Sequence, residues 1–262
     1  MATNSSVIVG GARREARAFV KAIRARTFSW IETWMGRASL VGDRTFFDVA
    51  DFPWTLRIEN DWQLIRRELD QVLEDREHLP NIQEILASQA SLSDDDHWKT
   101  YYFHGYWGRA DANCERCPET ARLLEEIPGM KHALFSIISP HKHIKPHCGV
   151  YKGVIRYHLG LRIPEPKESC RIRVGDDVRH WEEGRSLIFD DTFEHEVWNE
   201  TEGVRVVLIV DVVRPLPFPA SAVNALVLKW NARRRSTDAG RRELDWEKRF
   251  EALKAGREPA AA

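Results

Sequence analysis

The chain has 262 residues, of which 43% are hydrophobic and 30% charged, a composition typical of a globular protein and unlike a disordered or fibrous one. Its 39 Lys and Arg residues nearly balance its 40 Asp and Glu residues, so no global positive field favours nucleic acid as a partner. Four cysteines are too few for a disulfide scaffold, and the opening residues MATNSSVIVGGARR lack the length of a signal peptide or membrane span. We therefore expect a cytoplasmic protein that does not bind nucleic acid.

The first third of the chain predicts helices around one short strand. From Gly10 to Arg37, basic residues alternate with apolar ones at helical spacing, which indicates a basic amphipathic helix. Such a helix lies on a membrane surface, here the inner membrane, docks a partner, or packs on the protein core, and the last is the commonest use. The aromatic segment from Phe46 to Leu56 predicts a short strand or extended segment, and Asn60 or Asp61 can cap a helix that ends before Pro80.

The rest of the chain changes from mixed to β-rich and back to helical. The aromatic segment WKTYYFHGYW predicts a strand beside a pocket, and Pro118 begins a helix that stops at Pro128 and Gly129. From Lys131 onwards the short apolar runs ALFSII, VIRYHLGL, CRIRV, SLIF and GVRVVLIVDVV, separated by turn residues, favour a jelly roll. After Pro219 the segments SAVNALVLKWNARRR and RELDWEKRFEALKA predict two helices.

We expect one domain that is mainly β with flanking α-helices. Its predicted parts are an N-terminal helical segment (1–45), a helical and β flank (46–130), a jelly-roll core (131–219) and a C-terminal helical segment (220–262).

The histidines are candidate metal ligands. His147 belongs to the segment SPHKHIKPHCG ahead of a predicted strand, His158 lies inside a strand, and His195 follows one. Neutral imidazoles are common ligands, and two from different strands can meet inside a β-sandwich. Most isolated histidines are structural or solvated, so these positions alone leave a metal site open. Four other histidines are predicted to lie solvated in polar loops: His97, His141, His143 and His180.

Two strands carry charges that a buried strand would not tolerate alone. In VIRYHLGL the two-residue period places Arg156 and His158 on one face and only apolar residues on the other. If that polar face meets water the strand is ordinary, whereas if both faces are covered the two residues need partners, such as a ligand carboxylate. Arg205 begins a run apolar enough to be buried on both sides, so it needs an anion opposite. Structural alternatives to a ligand are Asp190, Asp191 and Glu194.

The segments FSIISPHKHIKPHCGVYKGVIRYHLGL and CRIRVGDDVRHWEEGRSLIFDDTFEHEVWNETEGVRVVLIVDVVRP closely resemble the aspartyl/asparaginyl β-hydroxylase family of Fe(II)- and 2-oxoglutarate-dependent dioxygenases. The resemblance runs from about Trp98 to Pro215. The segments CERCPETARLL, YKGVIRYHLGL and DDTFEHEVWN are nearer to its bacterial lipid A hydroxylase-like branch. It implies a double-stranded β-helix, the cofactors Fe(II), 2-oxoglutarate and O2, and hydroxylation of an unactivated C–H bond in an Asp or Asn side chain or in a lipid acyl chain.

The resemblance also implies roles for individual residues. His147 and His195 match the iron ligands, and Arg156 matches a position between cosubstrate and substrate. The positions that match the 2-oxoglutarate site are Ser136, His158 and Arg205, with Arg205 on the distal carboxylate.

One departure from the general dioxygenase pattern leaves alternatives open. The usual ligand motif is H-x-D or H-x-E, but here Gly149 stands at the acid position, as it does in the family that the chain resembles. A halide could use the open iron position, which would make a halogenase, or the chain could be a non-catalytic jelly-roll binding module. Cys114 and Cys117 form a C-x-x-C pair that is redox-active, half of a zinc site or, as we favour, a pair of structural thiols.

Overall fold

The computed structural model describes residues 29–105 and 107–254, and in them two antiparallel sheets pack face to face. The strands are β1 (Phe46–Phe47), β2 (Trp98–Gly105), β3 (Gly108–Arg109), β4 (Met130–Ile138), β5 (Lys142–His147), β6 (Val154–Arg162), β7 (Cys170–Val174), β8 (Asp177–His180), β9 (Ser186–Phe189), β10 (His195–Asn199) and β11 (Arg205–Val213). The first sheet has the order β1-β9-β6-β11-β4-β2-β3 and the second β5-β10-β7-β8. The chain is thus mainly β with a jelly-roll core, as the sequence predicts.

Helices flank this core. They are α1 (residues 29–38), α2 (Thr55–Asn60), α3 (Trp62–Glu74), α4 (Ile82–Ile85), α5 (Asp111–Arg116), α6 (Pro118–Glu125) and α7 (Ala220–Lys254), with single 3-10 turns at Val49–Asp51, Arg76–His78, Ala87–Gln89 and Lys167–Ser169. The predicted proline at the start of α6 is confirmed, and the buried Glu68 accepts hydrogen bonds from the backbone N–H groups of Glu119 and Thr120, at 2.8 Å each.

The first sheet is covered on both faces. Its outer face packs against α3 and α6 and contributes Ile155, Tyr157 and Leu159 to one hydrophobic core. Its inner face meets the second sheet, and a separate core lies between them, with Val207 and Ile209 on one side and Ile172 and Val197 on the other. The face of β6 that carries Arg156 and His158 therefore points into the space between the two sheets rather than into water. Both residues accordingly need polar partners inside the protein.

Three expectations about secondary structure are wrong. Two of the four histidines predicted to lie in polar loops are in strands, His143 on β5 and His180 on β8, whereas His147 precedes β6 and His195 follows β9 as predicted. Strands β5 and β8 escape sequence patterns because β5 contains Pro146 and β8 is exposed at every residue. The two predicted C-terminal helices form the single helix α7. The side chain of Asp61 makes no capping hydrogen bond to α3; it forms an ion pair with Arg57 instead.

The predicted amphipathic helix lies partly outside the described residues. Its described part, α1, has a buried Met35 and an exposed Trp30, whose ring stacks on Trp34 at 5.8 Å. Among the residues described, no helix is both long and apolar enough to cross a membrane.

Candidate active site

Two histidine rings meet inside the second sheet. His147 ends β5 and His195 begins β10, and the register pairs these two residues directly across the strands. Their ring centroids are 4.1 Å apart, and His195 is only 3% exposed. The spacing brings together the two side chains that the resemblance marks as iron ligands.

Both rings have their outer nitrogen available as a ligand. The Nδ1 atom of His147 donates to the carbonyl of Lys145 at 2.8 Å, and that of His195 donates to the carbonyl of Phe193 at 3.0 Å. Because a carbonyl oxygen only accepts, Nδ1 carries the proton on each ring and Nε2 keeps its lone pair. Burial lowers the pKa of His147, and burial together with His147 lowers the pKa of His195 to about 3, so both rings stay neutral as a metal requires.

A carboxylate stands where the missing acid would be. A Cβ atom added to Gly149 would overlap the carboxyl group of Asp191, and the Gly149 N–H donates to the Asp191 carbonyl at 2.6 Å. Asp191 is buried, and within the described chain its Oδ1 atom has no hydrogen-bond partner. Burial raises the pKa of this carboxyl to about 6. No group of three His, Cys, Asp or Glu residues in the described ranges is close enough to hold a metal ion by itself. Asp191 therefore adds negative charge beside the two imidazoles rather than completing a three-residue ligand set.

A row of polar side chains crosses three neighbouring strands next to the histidines. The register pairs Asp211 on β11 with Arg156 on β6 and with His132 on β4. Arg156 donates through Nε and Nη2 to the two Asp211 oxygens at 2.8 and 3.0 Å, and its Nη2 is 3.2 Å from Asp191 Oδ2. Although burial opposes it, Arg156 and His132 hold the pKa of Asp211 well below its usual range. Arg156 thus lies near the histidine pair and is bound to Asp211, a residue that the sequence analysis did not identify as part of the site, and neither did it identify His132.

The predicted cosubstrate residues form a buried set of hydrogen-bond donors. His158 Nδ1 accepts from the indole of Trp181 at 3.2 Å, so its proton is on Nε2, an atom that is buried without a partner in the described chain. Ser136 Oγ accepts from the indole of Trp98 at 3.0 Å, which leaves its own hydroxyl hydrogen to donate. Arg205 is 1% exposed, and its Nε and Nη2 atoms also have no hydrogen-bond partner among the described residues.

The structural alternatives for pairing Arg205 are excluded. Asp190 pairs with Arg214, Asp191 with Arg156 and Glu194 with Arg173. Arg205 instead lies over the ring of Trp181, at 3.9 Å from the centroid, and burial lowers its pKa to about 10. A buried guanidinium with unsatisfied donors beside two further donors is a site that fits an anion, and a carboxylate fits it well.

Phe189 connects the anion site to the histidine pair. Its ring contacts that of His158 edge-on at 4.9 Å and that of His195 at 5.8 Å. A cavity of about 430 Å³, within the range of small-molecule sites, opens over His147 and His195 and includes Arg156, Asp191 and Asp211. Ser136, His158 and Arg205 do not line that cavity but lie behind its wall residues Trp98 and Ile209.

One side of the cavity is apolar. Its apolar wall comes from α4, β2, β4 and α7 and contains Ile82, Ile85, Leu86, Trp98, Tyr102, Trp107, Leu134 and Leu228. The wall from α7 could not be found by motif, because that helix follows the conspicuous β-rich segment and reaches the cavity only through the fold.

The remaining candidates lie outside the site chemistry. Cys114 and Cys117 are buried free thiols, and burial raises their pKa values to about 11 and about 12, which supports the structural interpretation. His143 is half exposed, pairs with Glu196 at 2.8 Å and stacks on Trp198. Cys148 is an exposed thiol at the rim of the cavity, and its neighbour His147 bears the ligand atom.

Comparisons with known proteins identify the same segments. The profile described as Aspartyl/Asparaginyl beta-hydroxylase matches residues 59–215. An ornithine lipid ester-linked acyl 2-hydroxylase from Rhizobium tropici is 44% identical over 196 residues, which are 75% of this chain and 70% of that protein. Human aspartyl/asparaginyl beta-hydroxylase is 37% identical over 60% of this chain but only 21% of its own length. A solved Cupin_2 domain of an Enterobacter cloacae transcriptional regulator is 12% identical, with a TM-score of 0.27 over 31% of this chain and 79% of that one.

Proposed function

This chain belongs to the aspartyl/asparaginyl β-hydroxylase family of hydroxylases, and we propose that it is an Fe(II)- and 2-oxoglutarate-dependent dioxygenase that hydroxylates the acyl chain of a bacterial lipid. One observation carries the cofactor assignment. A buried set of unsatisfied donors, centred on Arg205, lies one aromatic ring away from two neutral histidines whose Nε2 atoms are free to bind a metal.

His147 and His195 would hold the iron, and Asp191 would place negative charge beside it. Arg205 would pair with the distal carboxylate of 2-oxoglutarate, with His158 and Ser136 donating hydrogen bonds to the same molecule. Two neutral imidazoles suit Fe(II), and the Nδ1 hydrogen bonds to backbone carbonyls keep both rings oriented without the metal.

When bound, iron, 2-oxoglutarate and O2 would supply the oxidation: one oxygen atom enters the substrate C–H bond as a hydroxyl, the other enters succinate, and CO2 is released. The protein residues contribute positioning and exclusion of water. Arg156 lines the cavity and would contact cosubstrate or substrate there, and the apolar lining would keep water away from the reacting carbon.

The shape and polarity of the cavity favour an acyl substrate over an Asp or Asn side chain. Most of the side chains that α4 and β2 contribute to the cavity are aliphatic or aromatic, and α7 adds Leu228 together with the polar Asn231 and Arg242. Burial against the apolar residues favours methylene groups by about 0.8 kcal/mol each. The lipid hydroxylase relative matches a larger share of the chain than the human enzyme does. Assay of lipid extracts against Asp-containing peptides, with product mass as the readout, tests this choice; hydroxylated peptide alone would overturn it.

We further propose that the protein is cytoplasmic and binds the inner membrane peripherally through the basic segment that ends in α1. The exposed Trp30 and the stacked Trp34 fit an interfacial role. Co-sedimentation with anionic vesicles should occur at low salt and weaken at high salt. Absence of binding at low salt would refute this proposal.

The halogenase alternative is not favoured by the geometry. The space beside Gly149 is filled by the Asp191 carboxyl group, and a halide there would meet both a steric obstacle and a like charge. The mass of the product in chloride buffer discriminates, because hydroxylation adds one oxygen atom and halogenation adds chlorine.

The decisive experiment is an anaerobic titration of the metal-free protein with Fe(II) and then 2-oxoglutarate, monitored by the visible metal-to-ligand charge-transfer band. The band should form in the wild type and be lost in His195→Ala. His143→Ala is the matched control, because this histidine lies on β5 but pairs with Glu196 away from the cavity, and it should keep the band. A folded wild type without a band would favour the non-catalytic binding module.

A further inference from the structure

Arg156 stands between two carboxylates that compete for it. Toward Asp211 it presents a two-pronged edge, with both contacts at 3.0 Å or less, whereas toward Asp191 it makes one longer contact at 3.2 Å. The first arrangement has the geometry of a bidentate arginine–carboxylate pair, which is the stronger of the two. The side chain of Arg156 is 23% exposed, while those of Asp211 and Asp191 are 1% and 6% exposed.

The outcome of this competition decides the state of Asp191. Arg156 touches only Oδ2 of Asp191, so Oδ1 stays without a hydrogen-bond partner in the described chain, in the space beside Gly149. If Arg156 turned its two-pronged edge toward Asp191, it would engage both oxygens and neutralise the charge beside His147 and His195.

Asp211 is itself held in place. His132 Nδ1 lies 3.5 Å from Asp211 Oδ2, the oxygen that also accepts from Arg156 Nη2, and the three residues are paired in register on the neighbouring strands β6, β11 and β4. A central strand with ladder partners on both sides cannot shift to follow Arg156, so the carboxylate is a fixed anchor.

We propose that Asp211, supported by His132, is a positioning residue: it binds Arg156 so that Asp191 remains an unneutralised carboxylate beside the metal-binding histidines. This inference rests on the proposed function, since it assumes that His147 and His195 hold a divalent metal. Asp211 acts on the metal only through Arg156.

The test is a two-residue cycle read by Mn(II) affinity of the metal-free full-length protein, measured by calorimetry without cosubstrate. Asp211→Asn should weaken Mn(II) binding about 10–100-fold, the range found when groups around metal ligands are altered. Arg156→Met should bind Mn(II) at least as tightly as the wild type, because Asp191 then loses the guanidinium that lies 3.2 Å from its Oδ2 atom. The double variant should match Arg156→Met.

Each comparison has an outcome that overturns the inference. Unchanged affinity in Asp211→Asn would do so, as would a double variant that binds more weakly than Arg156→Met, because Asp211 would then act by its own charge. If Asp211→Asn does not fold, the comparison of the double variant with Arg156→Met still decides, because neither leaves an arginine unpaired. Glu196→Gln removes a paired carboxylate on the outer face next to His195 and should leave affinity unchanged. A wild type that binds no Mn(II) would instead refute the proposed function, and the inference with it.

Discussion

Replacement of Arg205 by Met should stabilise the empty protein while destroying its affinity for 2-oxoglutarate. Burial lowers the pKa of Arg205 to about 10, which corresponds to roughly 3 kcal/mol of uncompensated desolvation of the guanidinium. The stacking on Trp181 at 3.9 Å returns about 2 kcal/mol. Met fills a similar volume against the same ring, so the free energy of unfolding should rise by about 1 kcal/mol, or about 2–4 °C in Tm.

The same change removes two charge-assisted hydrogen bonds to the cosubstrate. At about 1.5–3 kcal/mol each, loss of the Nε and Nη2 donors should weaken 2-oxoglutarate binding at least about 100-fold. Thermal unfolding with Mn(II), with and without 2-oxoglutarate, reports both effects. At 100 times the wild-type Kd the ligand should stabilise the wild type by about 2.7 kcal/mol and the variant by no more than about 0.4 kcal/mol.

Arg214→Met is the matched control. Arg214 is equally buried, but it pairs with Asp190 and donates to the Lys152 carbonyl at 2.6 Å. Its loss leaves the buried Asp190 carboxylate with only the Lys152 ammonium, at 3.3 Å, and should cost up to about 3–5 kcal/mol. Two results would refute the view that Arg205 binds the carboxylate of a ligand. One is destabilisation of similar size in both variants, and the other is a ligand-induced Tm shift that is retained in Arg205→Met.

Three further outcomes follow from the site. Gly149→Asp should abolish Mn(II) binding because its side chain collides with the Asp191 carboxyl, and adding Asp191→Gly should recover binding; a single variant that binds normally would contradict the crowding. In metal-free protein the unfolded state binds a proton at His195 below about pH 6.5, whereas the folded state binds it only below about pH 3. The free energy of unfolding should therefore fall by about 1.4 kcal/mol for each unit by which the pH is lowered between these values. His195→Gln should reduce that slope by one proton in urea titrations between pH 4.5 and 5.5, and an unchanged slope would show that His195 is not buried neutral. Iodoacetamide should alkylate the exposed Cys148 of the native protein and spare the other three cysteines, as mass spectrometry can show; modification of a second thiol would contradict their burial.

Local patterns in the sequence determine the β-rich core and point to its unusual charges. The apolar runs that predict β4, β6, β7, β9 and β11 each form a strand, because β-branched residues between turn residues specify strands locally. The two-residue period also shows that Arg156, His158 and Arg205 lie where a covered strand needs partners. The family resemblance, confirmed by the match over residues 59–215, then implies that the two histidines are iron ligands.

Tertiary structure alone decided which groups surround those histidines. Asp191 meets Gly149, Asp211 meets Arg156 and His132, and α7 reaches the cavity only through strand register and packing between distant segments. Strands β5 and β10 carry the two imidazoles but lack a run of apolar residues that would predict a strand. Pairing with β5 on one side and β7 on the other holds β10 in the second sheet. Local propensity reads a few neighbouring residues, whereas a buried charge is compensated by whichever groups the completed fold brings within about 3 Å of it.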